Sequence, residues 1–101
     1  MPKSKQHINE RRRTWLRKIR IEVINHYSDG TNACAECNFG DMRALVIDHF
    51  NDDGAEHRKY LGSKNICILL RKNGFPPGFQ VLCANCNMIK EYARRMDLFI
   101  N

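Results

Sequence analysis

Apolar positions along the chain fall into four blocks, each with its own period. From Ile8 to about Tyr27 the spacing is helical: Ile8, Trp15, Leu16, Ile19, Val23 and Tyr27 fall in one arc of a 3.6-residue wheel. "SDG" (Ser28, Asp29, Gly30) is a helix stop, with Gly30 at or just past the C-cap. "RALVIDHF" (43–50) holds a short run of branched apolar residues that suits a buried strand, and "NDDG" (51–54) turns the chain. Ser63 is placed to cap a short helix through "NICILLRKNG", which Gly74 ends. After the "PPG" loop (76–78), "FQVL" reads as a second short strand, and from Asn87 to about Phe99 the chain is helical again. On that last wheel Ile89, Tyr92, Ala93, Met96, Phe99 and Ile100 share the face expected to pack inward, with Asn87, Lys90, Glu91 and Arg94 opposite. The expected class is α+β. Residues 1–7 are expected to form a disordered basic tail, 8–29 a basic amphipathic helix and 30–101 the core of a single domain.

A chain of 101 residues is one domain by length. A domain this small buries only about 60–65% of its unfolded surface, so a covalent or metal staple adds much to its stability. Five cysteines are present: Cys34, Cys37, Cys67, Cys83 and Cys86. "MPKSKQHINERRR" has no apolar run that reads as a signal peptide, and the longest apolar run, "ICILL", is far too short to span a membrane. The expected location is therefore the cytoplasm, where thiols stay reduced and paired cysteines bind metal more often than they form disulfides.

Cys34-x2-Cys37 and Cys83-x2-Cys86 read as two half-sites. Two sulfurs from each turn complete a tetrahedral four-thiolate site, and soft thiolates select zinc over magnesium or calcium. Such a site tethers the region of residue 35 to that of residue 85 and leaves no position for a substrate. The competing reading is a set of buried or redox cysteines. Cys67 lies in an apolar segment and reads as a small buried residue.

Lys+Arg number 17 and Asp+Glu 11, a formal charge of +6. Four thiolates around one zinc ion would bring this to about +4. The excess suggests a polyanionic partner. Arg11, Arg12, Arg13, Arg17, Lys18 and Arg20 crowd into ten positions, and Arg13, Arg17 and Arg20 flank the apolar arc of the first helix, as a solvated face or a phosphate-contacting stripe.

Asp48 and His49 end the first strand. A carboxylate is a hard ligand for Mg²⁺, and a histidine of ordinary pKa is a neutral base near pH 7. One metal ligand beside one base is the minimum for metal-assisted hydrolysis. Without context the same pair reads as a turn cap and a surface histidine. Asn87, just after the second cysteine pair, is either a helix cap or a carbonyl ligand for a hard metal.

Together, "CAEC…ALVIDHFNDDGAEHRK…FQVLCANCN" resembles an HNH nuclease of the ββα-metal (His-Me finger) superfamily. The likeness is to small phage-type members and to the recombination endonuclease VII branch, and it covers roughly residues 27–90. It implies a ββα-metal finger stapled by a four-cysteine zinc site, with an added N-terminal helix. By position, Asp48 and Asn87 would hold one catalytic Mg²⁺ or Mn²⁺, His49 would be the general base, and Cys34, Cys37, Cys83 and Cys86 would hold structural zinc. His57, Arg58 and Lys90 are auxiliary candidates. Arg13, Arg17, Arg20, Lys90 and Arg94 are candidates for DNA contact. One position departs from the family: Gly78 stands where many members have the asparagine that orients the loop carrying the base, so Asn51 or backbone groups must hold it. The implied activity is DNA phosphodiester hydrolysis. The alternatives are a non-catalytic zinc-stapled DNA-binding module, a dimeric junction-resolving nuclease and a purely structural zinc protein.

Overall fold

The structure, a computed structural model, describes the backbone of residues 5–50 and 65–100 and the side chains of residues 9–50 and 65–96. The expected turn at 51–54 and cap at Ser63, with Asn51, His57 and Arg58, lie outside the described residues. So do the side chains of Ile8, Phe99 and Ile100.

Helix α1 runs Lys5–Tyr27, three residues earlier than its apolar period begins. Its C-terminal half carries the packing, with Ile19, Val23 and Ile24 buried. Residues 9–14 are exposed all the way round the helix, and Trp15 is 48% exposed, so the N-terminal half stands clear of the core among the described residues. The helix closes in a Schellman arrangement, with Gly30 N donating to Asn25 O (2.8 Å) and Asp29 N to His26 O (3.2 Å). The left-handed C′ residue is thus Asp29, at φ 52°, with Gly30 following at φ 81°.

Strand β1 (Leu45–His49) pairs antiparallel with β2 (Phe79–Cys83) in the register Leu45↔Cys83, Ile47↔Val81, Asp48↔Gln80, His49↔Phe79. A short 3₁₀ turn (Met42–Ala44) leads into β1, capped by Asp41, which accepts from Arg43 N. Because side chains alternate, Leu45, Ile47, Val81 and Cys83 share one face, and Val46, Asp48, Gln80 and Leu82 share the other. Ile24 of α1 joins Leu45, Val81, Leu82, Cys83 and Cys34 in one buried cluster. Ile19 and Val23 meet Leu70 in a second, with Phe75 and Phe79 packed against it.

Leu70 belongs to helix α2 (Ile66–Lys72), which Asn65 caps by accepting from Cys67 N (2.9 Å) and Ile68 N (3.4 Å). Gly74, at φ 76°, ends it in the same arrangement that closes α1: Phe75 N donates to Leu70 O and Gly74 N to Arg71 O. Arg71 also pairs with Glu22 of α1 at 3.0 Å. Tyr27 donates to Pro76 O at 2.6 Å, fastening the end of α1 to the loop before β2. Burial raises the pKa of its phenol.

Helix α3 (Ala84–Ile100) follows β2 without a break. Its rotation reverses the expectation from the hydrophobic wheel. Ile89, Tyr92 and Met96 are 59%, 56% and 56% exposed, while Asn87, Lys90, Glu91 and Arg94 are partly buried. The cause is local. Cys86, in the first turn, must bring its sulfur back to the other three, and this fixes the helix phase, placing Lys90, one turn on, over the sheet. The architecture is α+β, with three helices and a two-stranded antiparallel sheet among the described residues.

Candidate functional site

The first cysteine pair sits in a tight turn. Asn38 N donates to Cys34 O and Cys34 N to Phe39 O, both at 2.9 Å, with Asn38 at φ 66°, a conformation asparagine tolerates. Ala35 N donates to Val81 O at 2.9 Å, so this turn is sewn to the edge of β2 that β1 leaves open. The second pair comes from the last residue of β2 and the first turn of α3, where Cys86 N donates to Cys83 Sγ at 3.4 Å.

These constraints bring the sulfurs of Cys34, Cys37, Cys83 and Cys86 within 4.8 Å of one another, a cluster suited to a metal ion such as zinc. Cys37 Sγ and Cys83 Sγ are 3.7 Å apart. Four sulfurs arranged tetrahedrally at a Zn–S distance of about 2.3 Å are about 3.8 Å apart, so this pair already has the edge length of a zinc tetrahedron. Three of the thiols are shifted, and not all in one direction. Burial opposes ionisation of Cys34, but the amides of Cys37, Cys83 and Glu36 outweigh it and bring its pKa down to about 6. Hydrogen bonding with Cys37 and Cys83, then burial, drives the pKa of Cys86 up. That of Cys37 also rises: the Phe39 amide and Cys86 lower it, but Cys83, burial and Cys34 outweigh them. One sulfur is thus ready to ionise while neighbours hold their protons, as expected of crowded thiols whose charge a cation would neutralise. Cys67 stands apart on α2, partly buried, its thiol pKa raised by burial.

Lys90 of α3 meets Asp48 and His49 at the end of β1. Asp48 Oδ2 accepts from Lys90 Nζ at 2.6 Å and from its cross-strand partner Gln80 Nε2 at 2.9 Å. Lys90 Nζ also donates to His49 O at 2.6 Å. Lys90, a candidate for phosphate contact, is engaged in an ion pair within the fold. Asn87 is the fourth residue of α3, which begins at Ala84, so it is inside the helix and is not its N-cap. It is half-buried on the side of the helix that carries Lys90, against the expectation that this face points away from the core. Asp48 and Asn87 are hard oxygen donors of the kind a divalent ion takes.

His49, the last residue of β1, lies with its ring 4.9 Å from that of Phe79, its cross-strand neighbour. Strand alternation puts this ring on the opposite side of the sheet from the Asp48 carboxylate, and the strand end is where both sides are accessible. Backbone groups tie the segment after His49: Phe50 N donates to Gly78 O at 3.0 Å, and Lys90 donates to the His49 carbonyl. Gly78 adopts φ 105°, which a side chain would strain.

The candidate DNA contacts divide. Arg13 and Arg17 are exposed on the projecting half of α1. Arg20 is instead partly buried and donates to Leu45 O, tying α1 to β1. Arg94 pairs with Glu91 at 2.6 Å. Sequence reasoning missed Gln80, whose signal is its place directly across from Asp48. Among the described residues no helix is long and apolar enough to cross a membrane. No protein-family model, no curated protein and no solved structure matches the chain.

Proposed function

We propose that the chain is a metal-dependent HNH endonuclease that hydrolyses DNA phosphodiester bonds, built on a ββα-metal finger with a structural zinc ion at its four cysteines. One observation carries the reading: the sheet end that presents Asp48 and His49 is covered by the helix that bears Asn87 and Lys90, one turn beyond a clustered cysteine. Strand β1 supplies the donor and the base, β2 pairs beside it, and the helix supplies the second donor, in the order the resemblance implies.

In this reading His49, in its neutral form, takes a proton from water as the water oxygen attacks phosphorus. The bond to the 3′-oxygen breaks, and that oxygen leaves protonated by solvent. Asp48 and Asn87 would hold a Mg²⁺ or Mn²⁺ ion, which would supply Lewis-acid stabilisation of charge on the phosphate. Gln80 fixes the Asp48 carboxylate from across the sheet, and Phe79 packs against the base. Because Asp48 and His49 face opposite ways, the phosphate sits at the strand end, where it reaches both. Arg13 and Arg17 extend the contact along the backbone, so binding weakens steeply with salt.

The test is supercoiled plasmid incubated with zinc-loaded protein, with and without Mg²⁺ or Mn²⁺, beside His49→Ala. Divalent-dependent nicking that His49→Ala lacks, with DNA binding and zinc content retained, supports the nuclease. Equal nicking by His49→Ala removes the base assignment.

A second reading, a zinc-stapled DNA-binding module without catalysis, is favoured by the same ion pair: the Lys90 ammonium already balances Asp48. It predicts zinc-dependent DNA binding and no cleavage with any divalent ion.

A further inference from the structure

Lys90 is more than a surface lysine near an acid. Its ammonium is chelated by two hard oxygens, Asp48 Oδ2 and the His49 carbonyl, each at 2.6 Å. Side-chain exposure is 28% for Lys90 and 14% for Asp48, the most sheltered ion pair among the described residues. The stem is not free to wander: Lys90 lies one turn after Cys86, whose sulfur is committed to the thiol cluster. A carboxylate oxygen beside a carbonyl oxygen is also a donor set that a hard divalent cation takes. An ammonium bound to a carboxylate opposes a divalent ion at the same group, because like charges at that separation repel in a partly sheltered site.

We propose that Lys90 is a built-in competitor for the divalent ion, so that the Asp48 site loads only by exchange: the ion enters as the Lys90 ammonium leaves. The inference rests on the nuclease reading for the presence of an ion, but it concerns binding and not turnover. Exchange is the simplest way for one site to hold a structural ion pair at rest and a metal in the working state. It also frees a cation beside the Asp48 site at the moment of loading, where a phosphate would neutralise it.

The experiment is Mn²⁺ titration of the zinc-loaded, DNA-free chain, followed by the electron paramagnetic resonance signal of free Mn²⁺. Wild type, Lys90→Met and the double variant Lys90→Met/Asp48→Asn are compared. Methionine keeps an unbranched stem and removes the charge. Lys90→Met is expected to bind Mn²⁺ at least tenfold more tightly than wild type, and the double variant to lose that gain, which locates the ion at Asp48. Equal or weaker binding by Lys90→Met, with zinc content and circular dichroism unchanged, overturns the proposal. If Lys90→Met does not fold, lysine-labelled wild type read by NMR replaces it. Saturating Mg²⁺ must then shift the Lys90 Cε resonance, and an unmoved resonance overturns the proposal. Plasmid cleavage separates the two readings. Tighter Mn²⁺ binding by Lys90→Met without cleavage by any form keeps the exchange and removes the nuclease. Cleavage by wild type with equal Mn²⁺ affinities keeps the nuclease and removes the exchange.

Discussion

Cys37 and Cys83 lie 46 positions apart in the chain, yet their sulfurs are 3.7 Å apart. Among the described residues, one backbone bond from Ala35 to Val81 and the burial of Cys34 also hold the first cysteine turn to the second. The ion is therefore expected to contribute much of the folding energy, since structural zinc sites reach an apparent 10–16 kcal/mol, roughly, at neutral pH. Purified protein should carry one zinc per chain by atomic absorption. Cys83→Ser, or chelator, should abolish the cooperative thermal transition seen by circular dichroism. An unchanged transition in metal-free protein would show that the sheet and α1 suffice.

Proton release on metal binding should reflect the uneven thiols. Cys34, with its pKa lowered to about 6, is mostly thiolate at pH 7 and has little proton to give. Cys37 and Cys86, both raised, must each lose one. Zinc affinity should therefore rise with pH above neutrality and fall through pH 6 as Cys34 itself becomes protonated. Calorimetry in buffers of different ionisation enthalpy counts the protons. Release of fewer than two at pH 7 contradicts the assignment.

The reversed rotation of α3 makes a prediction opposite to that of the hydrophobic wheel. Ile89 is 59% exposed, so Ile89→Gln should change stability by no more than about 0.5 kcal/mol. On the inward face a buried isoleucine would cost about 2–5 kcal/mol when truncated. Urea melts of zinc-loaded protein distinguish these values.

Two helices end in the same hydrogen-bonded arrangement, one with Gly74 at the left-handed position and the other with Asp29 at φ 52°. Glycine relieves the strain of that conformation but raises the entropy of the unfolded chain. The first effect is the larger here, so Asp29→Gly should stabilise by roughly 0.5–1 kcal/mol. A lower melting temperature for this variant would mean that the Asp29 side chain does more than occupy the turn.

Local signals in the sequence locate the elements well. The branched run before Asp48 is β1, "FQVL" opens β2, and the x2 spacings foretell a four-sulfur cluster. What they do not locate is set by partners distant in sequence. Ile24 falls outside the single apolar arc because α1 packs on the sheet and on α2 at once, which widens its buried stripe. Arg20 has no nearby residue that announces its bond to the Leu45 carbonyl. The phase of α3 was open to reading: Cys86 and Lys90 are one turn apart, and a cysteine bound for a metal cluster outranks four apolar residues in orienting a short sheet's covering helix. Asn87 reads as a cap only if the helix starts there, and it starts at Ala84 because the second cysteine turn is itself helical. The catalytic roles remain tied to the resemblance, since Asp48 and His49 sit at a strand end whose side-chain directions depend on tertiary context.

The long span between the two halves of the thiol cluster also governs how the chain behaves while it is unfolded. Each half-site is local and forms within a few residues, whereas joining them closes a loop of 46 positions, at an entropic cost of about 4 kcal/mol in a chain-entropy treatment. A metal ion captured early by Cys34 and Cys37 does not distinguish its own chain's Cys83 and Cys86 from those of a neighbour. Intramolecular closure proceeds at an effective concentration of roughly millimolar, and bridging between chains is second order in protein. Crowded refolding with metal already present therefore feeds interchain, swapped assemblies, and dilution before metal addition returns the chain to its own partner cysteines.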